Sequence, residues 1–154
     1  MQGVIKMYDV AKLYQLVLNR EIALAKNQIL DTQRIKHKLL AFLQCVNTVG
    51  EKAHVYTFWD REIRIDHQEI LESFIEGISM IMSIGYEMRI DEIKTHEEIP
   101  SSISKDELMF KIYEDVIIFK NTFDPIIYQD LLDDYFHLGF MLGISIEEIV
   151  NSYK

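Results

Sequence analysis

The sequence predicts an all-α fold, a bundle of about five to six helices. Three observations carry this. Apolar residues recur at intervals of three and four along most of the chain. The 154 residues are 49% hydrophobic, with only two prolines and six glycines, which suits packed helices. Helix-starting residues, Asp31, Asp66, Pro125 and Ser145, stand where periodic stretches begin. A chain of this length can bury one real core, so residues 1–154 are read as a single domain.

Taken in order, Val10, Leu13, Tyr14, Val17, Leu18, Ile22 and Ala25 form a stripe that predicts a first helix from Tyr8 to Leu30. Asp31 can cap a second, from about Thr32 to Lys52. Arg34 stands where a capping box would have Glu or Gln, so only the N-cap half of that signal is present. Ile35, Leu39, Phe42, Leu43 and Val46 share one face of this helix. His54 to Ile65 has no helical period and reads as a connection. Asp66 then caps a third helix that runs to about Arg89.

The third helix changes character halfway. Glu69, Glu72 and Glu76 charge one side of its first half, whereas Gly77 to Tyr86 is apolar or small on every side. Such a segment must be buried all round, and the simplest cover is a second copy, with Gly77, Ser79, Ser83 and Gly85 allowing close approach. A homodimer is therefore expected. Glu97 to Lys105, with Pro100, reads as a surface loop. Helices follow over about Lys105–Lys120 and Pro125–Leu142, and a short last one starts after Ser145.

Composition excludes several classes of function. A formal net charge of −9 opposes general nucleic-acid binding, although Arg20, Lys26, Arg34, Lys36 and Lys38 make the first third locally basic. Cys45 is the single cysteine, so no internal disulfide is expected, and its apolar helical setting suits a small buried hydrophobe. Met1 to Ala11 lacks a signal pattern, and Gly77 to Tyr86 is about half the ~20 residues that a bilayer crossing needs. A cytoplasmic protein with no membrane association is expected. His37, His54, His67, His96 and His137 share no metal-ligand spacing, which argues against zinc. Neither a P-loop nor a G-x-S-x-G elbow occurs. Tyr128, Tyr135 and Phe136, within Asp124 to Phe140, are typical interface anchors, but the stretch reads better as an amphipathic helix packed on its own domain.

Specific motifs narrow the reading. Phe58-Trp59 ends the connection; Glu76-Gly77 with Met82-Ser83-Ile84-Gly85 marks the third helix; Gln15-x-x-Leu18-Asn19 lies upstream; Leu138 to Lys154 closes the chain. In this order they resemble the dimeric, all-α dUTPase family, relatives of the MazG-like nucleotide pyrophosphatases. The resemblance implies a dimeric dUTPase/MazG-like bundle. It also implies a family chemistry: cleavage of a nucleoside triphosphate between its α and β phosphates, with Mg²⁺ held by an E-x-x-E helix facing an E-x-x-D helix. Acids three apart project from one side of a helix, and hard cations want several such carboxylates.

Aligned on Trp59 and Gly77, the four acid positions of the family fall on Cys45, Thr48, Ser73 and Glu76, and only the last is acidic. Glu72 and Glu76 form at best a residual metal pair, and a solvated helix face is the favoured reading of both. Glu51 is a substitute only if its helix shifts by a turn, which would displace the whole apolar face. The family's phosphate-gripping tail has no counterpart after Tyr153-Lys154, and its loop lysine is replaced by Thr57. Gln15, Asn19 and Trp59 remain as nucleotide-binding candidates, because side-chain amides pair with uracil edges and an indole offers a stacking face. Core packing is the favoured reading of Trp59.

Two readings follow. The leading one is a noncatalytic dUTPase-like dimer, with no cofactor, retained for binding a protein partner or, weakly, a uracil nucleotide. The other is a divergent dUTP or dNTP pyrophosphatase, releasing nucleoside monophosphate and pyrophosphate, that works through Glu51, Glu72 and Glu76 with Mg²⁺, Glu76 being the catalytic candidate.

Overall fold

Asp31, Asp66, Ser104, Asp124 and Ser145 each accept a hydrogen bond from a backbone amide in the turn that follows, and each opens a helix. The computed structural model describes residues 12–17, 31–90, 93 and 102–154. Its complete helices are α1 (Thr32–Lys52), α2 (His67–Glu87), α3 (Lys105–Thr122), α4 (Pro125–Met141) and α5 (Ile146–Ser152). Residues 12–17 are helical as well, and no strand occurs among the described residues. The all-α expectation therefore holds. The rest of the Tyr8–Leu30 helix, and Glu97 to Ser101 of the expected surface loop, lie outside the described residues.

Helices α1 and α2 pack along their length as an antiparallel pair. At one end Arg34 and Lys38, from the start of α1, meet the buried carboxylate of Glu87 at the end of α2, with Lys38 Nζ 2.9 Å from Oε2. Lys38 also donates to Ser83. Two of the lysines and arginines that made the first third look basic are thus committed to a buried partner. Removing one side of such a pair leaves an uncompensated charge, which costs far more than losing a surface ion pair. Ile35, Leu39, Phe42 and Val46 are fully covered, so α1 keeps the face its sequence predicts.

α3 and α4 form a hairpin. Phe123, left-handed at φ 50°, closes α3 through its amide to the Phe119 carbonyl, and Pro125 sits in the first turn of α4. Tyr128, Tyr135 and Phe136 are buried, so α4 packs on its own domain as the sequence suggests. The ring of Tyr135 stacks on Phe74 of α2 with centroids 4.4 Å apart and meets Phe42 of α1 edge-on at 4.8 Å. His67, at the start of α2, lies 2.7 Å from Glu148 of α5.

The segment from Gly77 to Tyr86 corrects the sequence reading. It does not need a second copy to cover it, because Gly77, Ile78 and Ile81 to Gly85 are already buried within one chain. The small residues admit side chains instead of a second helix. Tyr135 donates to the Phe74 carbonyl at 2.9 Å, and a Cβ on Gly77 would lie 2.0 Å from its hydroxyl oxygen. Tyr128 donates to the Ile81 carbonyl at 2.7 Å, beside Gly85, where a Cβ would come within 2.5 Å of that hydroxyl oxygen. Tyr153 donates to the Ile75 carbonyl at 3.1 Å and has the Ser79 hydroxyl at 2.5 Å. Tyr14 donates to the Ile90 carbonyl, just past the end of α2, at 2.9 Å. Each carbonyl oxygen has two lone pairs, so a tyrosine can bond a carbonyl without breaking the helix ladder.

One buried acid joins α3 to α4. Asp115 of α3 faces Asp134 of α4; Lys111 Nζ lies 2.5 Å from Asp134 and 3.8 Å from Asp115. Burial first, then the hydrogen bond and charge of Asp134, push the Asp115 carboxyl up to about 8, against the opposing pull of Lys111; Asp130 adds to the rise. The pair therefore shares a proton at neutral pH.

Two predictions follow from this packing. Gly to Ala in a helix interior ordinarily stabilises by roughly 0.5–1 kcal/mol, but Gly77→Ala drives a methyl into the Tyr135 hydroxyl and is expected to destabilise by about 2–3 kcal/mol. Urea denaturation of this variant beside Tyr135→Phe, which loses one hydrogen bond for about 1 kcal/mol, checks both sign and order. For Asp115, the raised folded-state pKa means that the folded chain holds the extra proton between the ordinary aspartate range and about 8. Stability therefore falls as pH rises through that window and levels off above it. Asp115→Asn should flatten the slope and raise the thermal midpoint at pH 8.5, by roughly 2–4 °C for each kcal/mol recovered; thermal scans across that pH range decide it.

Candidate functional site

The antiparallel register fixed by Lys38 against Ser83 brings Cys45 level with Glu76 and Thr48 level with Ser73. The four positions that the sequence singles out thus lie on two adjoining helices, one turn apart on each. What they hold is a poor donor set for a hard cation. Thr48 donates its hydroxyl to the Gln44 carbonyl of its own helix at 2.9 Å. Ser73 is buried, at 5% exposure. The half-buried Cys45 thiol is pushed above its usual pKa, by burial first and by the Glu76 carboxylate second. A thiol binds metal as thiolate, and this one stays protonated at neutral pH.

Glu76 itself is exposed, as is Glu72, which accepts a long 3.4 Å hydrogen bond from Gln68. Glu51 is exposed too, and its charge acts on Tyr56 in the connection beyond α1. Because α1 is not shifted, Glu51 has not turned into the α1–α2 seam. Among the described residues, no group of three or more His, Cys, Asp or Glu side chains is gathered to hold a metal ion. Mg²⁺ demands near-octahedral oxygen ligands, which this set does not supply.

The connection between α1 and α2 is ordered around a residue that the sequence reading considered only for metal spacing. His54 takes a left-handed backbone at φ 55°. Its Nε2 donates to the Arg64 carbonyl at 3.1 Å, and its Nδ1 lies 2.9 Å from the Thr57 hydroxyl and 3.2 Å from Asp60. Thr57, in the place of the family's loop lysine, is buried. The loop so closed holds its large apolar side chains outward: Phe58 is 92% and Trp59 60% exposed, with ring centroids 5.0 Å apart, and Ile63 and Ile65 are exposed as well. The favoured core role for Trp59 is thus incorrect. The tight turn before it is closed by the Phe58 N–H on the Tyr56 carbonyl at 2.8 Å.

Of the remaining candidates, Gln15 is exposed and lines a cavity with Lys12, Leu13, Leu16, Ile146, Val150 and Lys154. Trp59 is not among the residues lining that cavity. Asn19 lies outside the described residues. Two further residues reach the seam that sequence reasoning did not assign to it: Tyr135 and Tyr153. Cys45, Tyr153 and Glu76 all add to the rise that complete burial imposes on the Tyr135 hydroxyl, so these groups share one neighbourhood. The spacing of tyrosines in the sequence carries no signal of it, because each comes from a different helix.

Helices in this order, with Cys45 and Thr48 of α1 level with Glu76 and Ser73 of α2 and an aromatic loop between the two helices, define an all-α domain. A family model described as dUTPase matches residues 9–154, and the chain belongs to that family, in its all-α form. No curated protein and no solved structure matches it. No helix among the described residues is long and apolar enough to cross a membrane.

The proximity of Cys45 to Glu76 is open to a direct check. Removing the carboxylate charge in Glu76→Gln lowers the thiol pKa and should speed iodoacetamide alkylation of Cys45 at pH 8 by about 2- to 3-fold. Unchanged kinetics would place the two side chains apart.

Proposed function

We propose that this chain is a dUTPase-family helical domain that binds without hydrolysing, assembles as a homodimer and engages a protein partner through the aromatic loop after α1. The observation that carries the reading is the content of the four acid positions: a protonated thiol at Cys45, a hydroxyl at Thr48 committed to its own helix, a buried Ser73, and Glu76. One carboxylate cannot neutralise a triphosphate through two or three Mg²⁺ ions. The family position before Phe58-Trp59 also lacks its cation, Thr57 being buried against His54.

Binding is supported by surfaces that the single chain leaves open. Phe58 and Trp59, in contact with each other, and Ile63 and Ile65 further on are exposed apolar side chains on a loop tied by His54, and large aromatic anchors of this kind dominate protein interfaces. Ile117 and Ile118 of α3 and Ile126 of α4 are exposed apolar side chains that a second copy would cover. A molar mass of one chain by light scattering would remove the dimer from this reading.

The rival, hydrolysis through Glu51, Glu72 and Glu76, needs Glu51 to join the other two, whereas its charge is felt at Tyr56 on the α3 side of the helix. Incubation of purified protein with dUTP and the other dNTPs, each with Mg²⁺, should release no pyrophosphate above the buffer rate. Turnover that disappears in Glu76→Gln would replace the binding role by an enzymatic one.

A further inference from the structure

Where α1 ends, the backbone singles out His54. The Val55 N–H bonds the Gly50 carbonyl at 2.9 Å, a helix closure that needs one left-handed residue, and His54 supplies it at φ 55°. Glycine takes that conformation freely, whereas a histidine there holds backbone strain that the surrounding structure must offset. The imidazole does so by reaching Thr57, Asp60 and Arg64 of the aromatic loop.

These three contacts respond differently to a proton. Nε2 faces the Arg64 carbonyl at 3.1 Å, which can only accept, so Nε2 carries hydrogen whether the ring is neutral or charged. Nδ1 is then the atom that gains or loses the proton. In the neutral ring its lone pair accepts from the Thr57 hydroxyl at 2.9 Å, and the Asp60 carboxylate at 3.2 Å faces that lone pair without a donor. In the imidazolium, Nδ1–H donates to Asp60 in a charge-assisted bond. Proton uptake therefore adds Asp60 to a clamp that Thr57 and Arg64 hold in both states.

Asp60 directly follows Phe58 and Trp59, and its amide bonds the Thr57 carbonyl at 3.1 Å, so a fixed Asp60 side chain steadies the aromatic tip. Among the described residues, Asp60 is the ion-pair partner of His54. The other charged groups around the loop are spent elsewhere or face water. Glu51 at the end of α1 is exposed and Lys52 half-buried; Arg61, Glu62 and Arg64 of the loop are exposed. At the start of α2, Asp66 caps its helix and His67 pairs with Glu148.

We propose that His54 and Asp60 form a proton-operated clamp on the aromatic loop. In acid the imidazolium holds Asp60 and orders Phe58 and Trp59; loss of the proton releases that end of the loop. Its use in recognition rests on the binding role proposed for this loop, whereas the clamp itself does not.

Trp59 is the one tryptophan of the chain, so its fluorescence reports on the tip alone. Time-resolved anisotropy of the full chain is followed from about pH 5 to pH 8, the range in which histidines change charge. The amplitude of the fast local component should rise by about 2-fold across it, the order expected of a part-exposed ion pair. Asp60→Ala should hold that amplitude at the higher level throughout. His54→Asn, which tolerates the left-handed backbone, should do the same, with circular dichroism to show that the helices persist. His67→Gln should leave the rise in place. A flat profile in the unaltered chain, a rise that persists in Asp60→Ala or in folded His54→Asn, or a rise abolished by His67→Gln would each overturn the clamp. The readout needs no partner, so its failure and the failure of the binding role are distinct.

Discussion

The structure depends on tyrosine hydroxyls that bond helix α2 from outside. Four of them, from Tyr14, Tyr128, Tyr135 and Tyr153, reach carbonyls in or just beyond that helix. They come from the 12–17 segment, from α4 and from the end of α5, so one helix collects contacts from the rest of the chain. Burying a hydroxyl unpaired would cost on the order of 1–3 kcal/mol, and burying it bonded adds direction to what would otherwise be a slippery apolar contact. The glycines at 77 and 85 are the openings through which two of these bonds are made.

This arrangement holds the fold through residues other than the four acid positions. The register of α1 on α2 is set at one end by Glu87 with Arg34 and Lys38, and in the middle by Phe42, Phe74 and Tyr135. None of these residues occupies an acid position. Cys45, Thr48 and Ser73 therefore sit in a frame that other residues set. Four acids gathered there would repel one another unless a cation joined them; a thiol and two hydroxyls bring no such penalty.

Much of this was legible in the sequence. Periodicity and caps gave α1 to α5 closely, because both signals are local: an apolar stripe and an oxygen placed before a first turn. The buried faces of α1 and α4 were legible for the same reason. Other features were not, since they depend on pairs far apart in the chain. Gly77 and Gly85 read as a surface for a second copy, when their partners are tyrosines about 43 to 58 residues later. Trp59 read as core on hydrophobicity alone, whereas the turn that His54 ties with Thr57 and Arg64 decides its exposure. Nothing in the sequence marks Glu87 as buried, because its partners Arg34 and Lys38 stand about fifty residues earlier. At the candidate site, the family motif supplied the positions, and their chemistry then followed from residue type.

We propose that the seam between α1 and α2, with one carboxylate among its four acid positions, holds no divalent cation. Mn²⁺ is the most direct probe, because free and protein-bound ions differ in their electron paramagnetic resonance amplitude. Titration of the protein, with and without a non-hydrolysable dUTP analogue, should track the buffer line without saturation into the millimolar range, on the order of the weakest carboxylate sites. Tight binding of two ions per chain, lost on Glu76→Gln, would contradict the account.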